Sequence, residues 1–423
     1  MRSLAEWLEQ QQRSHPSSID LTLSRVREVA RRLDLLEPRY RVITVGGTNG
    51  KGSTVACLDA IVRASGQHCG RFTSPHLARY NERICVDGAE ADDASLIAAF
   101  ERIDAARGDI TLTFFEYNAL AALDIFRLAR VDVAVLEVGL GGRFDATNII
   151  DADVAVVCSI GIDHVDWLGH TVEAIGREKA GIFRKGRPAV LGSADMPDSV
   201  WAAIDEVGAV AVAPGRQYRS STSMRDQTTW DFEYGTFALR GLPPSALAGV
   251  HQTANAATAL AALTALGGIE LTQDNVSRAL RSLRLPGRFQ RVPGKVEWIF
   301  DVAHNVPAAQ GLVENLRALP PAHTIAVCGI LGDKDLQGIL SAVSASVDAW
   351  VFVTLDGPRA VPTRELAQQL PAGARVLAHT PDVAAGCRAA RDAARPGDRI
   401  LVFGSFLTVG PALEFLGPEF VRL

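Results

Sequence analysis

The stretch VITVGGTNGKGST, Val42 to Thr54, constrains this chain more than any other. Its first four residues are apolar or β-branched and read as a buried strand. A loop with Gly46, Gly47, Gly50 and Gly52 follows, and STVACLDAIVRASG then reads as a helix with Val55, Leu58 and Val62 on one face and Gly66 closing it. Strand, glycine loop and helix in that order cradle phosphate. The glycines let successive backbone N–H groups turn toward an anion, and the helix start adds partial positive charge. Lys51 is the candidate for the β- and γ-phosphates, and Ser53 or Thr54 for a hydroxyl on Mg²⁺. Gly52 separates Lys51 from Ser53, where the common pattern has Ser or Thr directly after Lys. A ligand-free glycine turn is the competing reading, but it gives no role to a lysine and hydroxyls gathered at a helix start. The stretch is read as a nucleotide site.

At 423 residues the chain has length for two or three domains with real cores. Its 48% apolar and 22% charged content fits an ordinary globular protein, and a net charge of −5 offers no field for a nucleic acid. The six cysteines form no C-x-x-C pair and lie mostly in apolar runs, as buried thiols in a reducing compartment do. MRSLAEWLEQQQ lacks the apolar run of a signal peptide, and no segment offers about 18 uninterrupted apolar residues. A cytoplasmic protein without a membrane span is expected.

Helices are predicted over 3–12 and 20–36, around the turn HPSSID, with Asp20 either capping the second helix or facing a ligand. His68 to Leu77 reads as a short strand breaking at Ser74-Pro75, a helix covers 92–106, and TLTFFE leads into a helix from Tyr117 to Ala129. VDVAVLEVGLGGRFDATN is the second strong signal. Its strand is apolar except for Glu137 near the carboxyl end, where ligands bind in open α/β sheets. A carboxylate there is either a Mg²⁺ ligand opposite the glycine loop or half of an ion pair with Arg143. A further strand ends at His164 in a polar loop, and Thr171 to Phe183 reads as a helix carrying Glu178 and Lys179. Residues 217–242 alternate polar and aromatic as peripheral strands, and His251 to Gly268 is a small-residue helix. Prolines and glycines cluster over 283–295, and beyond them strands are expected near 297–301, 323–329, 348–354, 374–378 and 398–403 with helices between.

Taken in order, GTNGKGS, TSPHL, the Glu137 loop, D-H at His164, E-K-A-G, HQTAN, LPGRF, DVAHN and GSF resemble the folylpolyglutamate synthase and dihydrofolate synthase branch of the Mur ligases over most of the chain. DVAHNVP departs from the family, which commonly has Pro directly after Asn, and Phe144 stands where Leu is common. The resemblance implies an α/β fold: a P-loop Mur-ligase-type ATPase domain with a mostly parallel sheet over 1–285, a linker at 286–295, and a smaller Rossmann-like α/β domain over 296–423. It implies ATP contacts at Thr48, Asn49, Gly50, Lys51, Gly52, Ser53, Asn255, Arg288 and Asp301, and metal ligands Ser74, Glu137 and His164 for one or two Mg²⁺. Lys179 is carbamylated by CO₂ in the family. Asp20, Leu21, Thr22, Thr113, Phe114, Phe115, Glu116, Phe144, Asp145 and Ala146 are implied on the pterin side, with Ser405, Asp301 and His304 on the glutamate side.

The activity implied is ATP-dependent addition of L-glutamate to dihydropteroate and to tetrahydrofolate and its polyglutamates, through an acyl phosphate, by a monomer. Lys51, Lys179, His164, Asp301 and His304 are the catalytic candidates, and Arg288 in the linker is to reach phosphate as the domains close. A folylpolyglutamate synthase alone, another Mur-type ligase, and a non-enzymatic P-loop switch are the alternatives. The switch leaves the second domain, Lys179 and Arg288 without work.

Overall fold

The structure, a computed structural model, describes residues 2–17, 20–222, 228–249, 251–417 and 419–420. The chain divides into two compact units: Met1–Ala246 with Thr253–Leu283, and Leu247–Gln252 with Arg284–Leu423.

The first unit is built on an eight-stranded sheet. Its strands are β1 (Arg41–Gly46), β2 (Cys69–Phe72), β3 (Ile84–Val86), β4 (Ala89–Glu90), β5 (Val133–Glu137), β6 (Val154–Val157), β7 (Pro188–Leu191) and β8 (Val210–Val212), in the order β4-β3-β2-β5-β1-β6-β7-β8. From β2 to β8 the pairings are parallel, with β3 and β4 added antiparallel at one edge. The central β1, β5 and β6 are buried almost throughout, which is why they read as continuous apolar runs rather than alternating ones.

The helices of this unit are α1 (Leu4–Arg13), α2 (Ser24–Arg32), α3 (Lys51–Ala64), α4 (Asp93–Arg107), α5 (Phe114–Ala129), α6 (Val165–Leu168), α7 (Val172–Lys179), α8 (Asp198–Val207), α9 (His251–Leu266) and α10 (Gln273–Ser282); the first two residues of α9 belong to the second unit. One core joins α1, α2, α4 and α5 to the sheet through Trp7, Val26, Phe100, Tyr117 and Phe126, and another joins α8 and the segment Ala180–Phe183 after α7 to β6 and β7. Each fully buried Phe or Ile contributes about 1.5–3 kcal/mol. A small antiparallel sheet of β9 (Tyr218–Thr222), β10 (Trp230–Tyr234) and β11 (Phe237–Leu242) forms the expected excursion; 223–227 lie outside the described residues.

Three helix boundaries differ from expectation. The second helix begins at Ser24, its N-cap Leu23 makes no side-chain bond, and Asp20 lies outside it, so Asp20 is no cap; Ser18 and Ile19 are outside the described residues. The fifth begins at Phe114 rather than Tyr117, because Thr113 caps it and Glu116 closes the capping box. Helix α7 ends at Lys179, after which a 3₁₀ turn runs over Ala180–Ile182.

In the second unit the strands are β12 (Gln290–Val292), β13 (Glu297–Asp301), β14 (Thr324–Cys328), β15 (Ala349–Val353), β16 (Val376–Thr380) and β17 (Arg399–Phe403), ordered β12-β13-β17-β14-β15-β16. All pair in parallel except β12, which adds antiparallel to β13 and lies inside the stretch read as a linker. Helices α11 (Val306–Arg317), α12 (Leu336–Ser344), α13 (Thr363–Gln368), α14 (Val383–Ala393) and α15 (Phe406–Leu416) complete it. A core of Ile299, Leu312, Ile339, Trp350 and Phe403 fills one face. Among the described residues no helix is long and apolar enough to cross a membrane.

Candidate active site

In the first unit, the β1 register sets Val45 beside Glu137 of β5 and beside Val156 of β6. The loops leaving all three strands therefore emerge at one level of the carboxyl edge. Gly47 (φ +137) and Gly50 (φ +89, the N-cap of α3) turn the backbone of the first loop. A Cβ on Gly50 would lie 2.8 Å from Asn255 Oδ1, so Asn255 of α9 stands against the loop.

The loop after β6 stitches the glycine loop down. Thr48 N–H donates to the Ser159 carbonyl (2.7 Å) and Asn49 N–H to Ser159 Oγ (3.1 Å), while Ser159 Oγ donates to the Asn49 carbonyl (3.0 Å). Thr48 Oγ1 donates to the Gly161 carbonyl and accepts from its N–H. Sequence reasoning passed over Ser159; its signal was a hydroxyl following the apolar run of β6.

Lys51 Nζ donates to the carbonyls of Gly47 (2.9 Å) and Thr48 (3.2 Å). Lys179 Nζ donates to the same Gly47 carbonyl at 3.1 Å. Among the described residues neither ammonium has a carboxylate partner within ion-pair distance. Lys179 is buried, and that burial together with the charge of Lys51 lowers its pKa to about 7. The Lys51 ammonium on the loop is a donor for anionic oxygen, and Lys179 brings a second amine to the same carbonyl.

Glu137 is buried, and Ser74 N–H approaches its Oε2 at 3.4 Å. Arg143 pairs instead with Glu178 (4.0 Å) and lies over the Phe144 ring, so the Glu137–Arg143 ion pair does not form. Ser74 and Glu137 supply hard oxygen donors side by side, which suits Mg²⁺. His164 has φ +53 and its Nε2 is 3.9 Å from Asp163 Oδ2. Among the described residues no three His, Cys, Asp or Glu side chains form a metal-binding group. The same edge carries His76, whose Nδ1 accepts from the buried Arg83 Nε at 2.7 Å; burial and Arg83 lower the imidazole pKa to about 4.

The loop after β5 is self-contained. Asp145 is fully enclosed, with Oδ2 accepting from Gly139 and Leu140 N–H and Oδ1 from Thr147 N–H and hydroxyl. Its carboxylate is spent on the loop, Ala146 is buried, and Phe144 is exposed. A Cβ on Gly139 would lie 2.5 Å from Phe115, so this loop lies against the first turn of α5.

Arg25, which sequence reasoning missed although it lies in IDLTLSRV, joins the two segments expected on the pterin side. Its guanidinium donates to Asp20 Oδ2 (2.7 Å), Thr22 Oγ1 (2.9 Å) and Glu116 Oε1 (3.1 Å). Glu116 Oε2 accepts from Thr113 N–H at 2.7 Å. Burial nevertheless raises the Glu116 pKa, whereas at Asp20 the effect of burial is outweighed by bonds from Thr22, Arg25 and His15. Leu21 is half-buried; Phe114 lies near Tyr80 and under Arg83, and Phe115 packs on Phe72.

In the second unit, Asp301 at the end of β13 accepts from Phe289 and Ala303 N–H; burial raises its pKa against the charge of Arg288. The Arg288 guanidinium lies 5.5 Å over Phe406, His304 lies 6.4 Å from the same ring, and Ser405 caps α15. The structure thus gathers Arg288, Asp301, His304 and Ser405 at one corner of this unit.

These two α/β units, one carrying a phosphate loop at the carboxyl edge of a parallel sheet, define a Mur-type ligase. The model of the Mur ligase middle domain matches residues 45–263, and that of the Mur ligase glutamate ligase domain matches 287–406. The chain is 45% identical to the dihydrofolate synthase/folylpolyglutamate synthase of Escherichia coli K12, covering 98% of this chain and 95% of that one, and 33% identical to that of Mycobacterium tuberculosis, covering 96% and 92%. Solved structure tells the same story. E. coli FolC in complex with DHPP and ADP superposes with a TM-score of 0.92 at 44% identity over 99% of this chain and 98% of that one. A bifunctional folylpolyglutamate synthase/dihydrofolate synthase with Mn, AMPPNP and L-glutamate bound gives 0.90 at 43% identity over 98% of each. The chain belongs to the dihydrofolate synthase/folylpolyglutamate synthase family.

Proposed function

We propose that this protein is an ATP-dependent ligase that joins L-glutamate to dihydropteroate and to reduced folates. The observation that carries the reading is the convergence of Lys51 and Lys179 on the Gly47 carbonyl at the mouth of the glycine loop.

The substrate carboxylate attacks the γ-phosphorus of ATP, forming an acyl phosphate and releasing ADP. The glutamate amine then attacks the acyl carbon, an amide bond forms, phosphate leaves and the amine loses a proton. Phosphoryl transfer asks positioning and charge of a protein rather than covalent help. The loop N–H groups and Lys51 hold the phosphates, Thr48 and Asn49 are fixed by Ser159, and Asn255 stands beside Gly50. Glu137 and Ser74 are the residues to hold Mg²⁺, which supplies Lewis-acid charge on phosphate oxygens. Lys179, with a pKa of about 7, has the free amine that CO₂ requires, so its carbamate is part of the proposal. Asp20, Thr22 and Glu116, tied by Arg25, serve the pterin, while Asp301, His304, Arg288 and Ser405 serve the anionic groups handled by the second unit. The proposal extends to polyglutamate products and to a cytoplasmic monomer.

Phosphate release is to be measured with ATP, Mg²⁺ and either dihydropteroate or tetrahydrofolate, with and without L-glutamate. Release that needs both acceptor and glutamate, with an amide product of matching mass, supports the ligase. Hydrolysis indifferent to both would leave a nucleotide switch.

A further inference from the structure

In the first unit, the loop between β2 and β3 ends on a cation that the reaction above leaves without work. The two strands pair antiparallel through Phe72 and Ile84, and Thr73 N–H donates to the Arg83 carbonyl at 2.9 Å. Arg83 is thus tied to the residue before Ser74, whose own N–H approaches Glu137. Its neighbour Glu82 is committed to the loop, accepting from the N–H groups of Leu77, Ala78 and Arg79.

The Arg83 guanidinium is held on three sides. Nε donates to His76 Nδ1 at 2.7 Å, and Cζ lies 5.4 Å from the Phe114 ring centroid and 5.8 Å from that of Tyr80. Arg83 is 7% exposed, yet among the described residues no carboxylate lies within ion-pair distance of it. Its two Nη atoms meet no hydrogen-bond acceptor among those residues, and neither is enclosed. Burial lowers its pKa, against the pull of Tyr80, Glu82 and Glu137. A guanidinium so far from water without a counter-charge is costly, and a carboxylate meeting both Nη atoms relieves that cost.

The reaction has a matching need. It brings an acceptor carboxylate against the γ-phosphate, so two anions must approach each other. Lys51 serves the phosphates. Arg25 is taken by Asp20 and Glu116, Arg143 by Glu178, and Arg71 faces Asp59 at 3.7 Å.

We infer that the two Nη atoms of Arg83 anchor the acceptor's reacting carboxylate, the aryl carboxylate of dihydropteroate or the terminal side-chain carboxylate of a folate tail. Phe114, expected on the pterin side, lies against this guanidinium, and the charge of Glu137 on the metal side reaches it. A carboxylate on Arg83 therefore lies where the two sides meet. His76, Tyr80 and Phe114 fix the plane of the fork, and a planar pair of donors favours a carboxylate over an uncharged amide. The inference rests on the ligase reading and names the cation that holds one of its substrates.

The test is a cycle between protein and ligand. Calorimetry with Mg²⁺ and a non-hydrolysable ATP analogue measures binding of dihydropteroate and of its primary carboxamide. Wild type, Arg83→Met and Arg83→Lys are compared, with melting curves as fold controls. Wild type is expected to bind the acid roughly ten- to a hundredfold more tightly than the amide, a preference that Arg83→Met abolishes and Arg83→Lys keeps in part. Affinity for the ATP analogue should be the same in all three. A merely structural Arg83 would weaken acid and amide equally when replaced, and that outcome overturns the inference. So does a wild type that binds acid and amide alike, a result independent of whether Arg83→Met folds. Glutamate-dependent phosphate release is scored on the same wild type. Its presence alongside an undiminished acid preference in the folded variants overturns this inference alone, and its absence overturns the ligase reading as well.

Discussion

At the scale of single residues, the proposed chemistry rests on two lysines that share a carbonyl. Lys51 was legible because a glycine loop with a lysine at a helix start has one physical use; its ammonium contributes nothing to a core. Lys51→Ala is therefore expected to lower turnover by about a hundredfold or more while the melting temperature stays nearly unchanged. Near wild-type turnover in that variant removes the phosphate-clamp role. Lys179 was not legible by its surroundings, since a helical lysine usually faces water, and only the fold buries it beside Lys51. Its pKa of about 7 lies below the unfolded value of about 10.4. The unfolded chain thus holds the proton over a range where the folded chain has lost it, so this group's contribution to stability rises with pH from about 7 to about 10. Lys179→Met should flatten that rise in urea titrations, and an unchanged pH profile would mean the amine is protonated or modified in the native protein. Native mass spectrometry under CO₂ separates those two cases. Lys179→Ala should lose activity and regain part of it with short carboxylates if the carbamate is right.

At the scale of elements, legibility followed local side-chain chemistry. The start of α5 was written in the sequence as Thr113-x-x-Glu116, a capping-box pattern, yet the helix was expected only from Tyr117. The start of α2 had no such sign, because Leu23 caps nothing and the entry is set by packing of Val26 and Val29. Glu137 was legible as the lone charge of an apolar strand. Arg25 was invisible because its partners lie 5 and 91 residues away. That bridge makes a testable difference between the two acceptors. Dihydropteroate ends in a benzoate carboxyl, so its ring must sit one glutamyl unit nearer the phosphates than that of a folate, and a distinct pterin position is required. Asp20 makes no helix cap, so Asp20→Ala should cost less than about 1 kcal/mol in stability. Losing a charged hydrogen bond to the pterin should cost dihydropteroate use about 1.5–3 kcal/mol, with tetrahydrofolate use much less affected. Equal losses in kcat/KM for both acceptors would assign Asp20 to holding Arg25 alone.

At the scale of the whole molecule, two units fold on separate sheets, each with loops at the carboxyl edge of parallel strands. The strands of the second unit were legible from apolar runs spaced by turn residues, but the antiparallel β12 was not. Its three residues sit between prolines and glycines and pair only because β13 offers an open edge. Hydrogen exchange reads such a division directly, because ligand binding lowers the population of open states wherever it makes contacts. A ligand at a hundred times its dissociation constant stabilises the closed form by about 2.7 kcal/mol, slowing exchange through coupled openings by up to about a hundredfold. With Mg²⁺ and a non-hydrolysable ATP analogue, protection is expected in the first unit over 46–54 and 159–164, where the glycine loop is stitched to the loop after β6. Adding tetrahydrofolate and then L-glutamate should extend protection to 287–289, 301–305 and 404–406 of the second unit. Protection by glutamate confined to the first unit would place amino-acid recognition there and remove it from Asp301, His304 and Ser405. No protection of 46–54 by the nucleotide would overturn the phosphate-loop assignment itself.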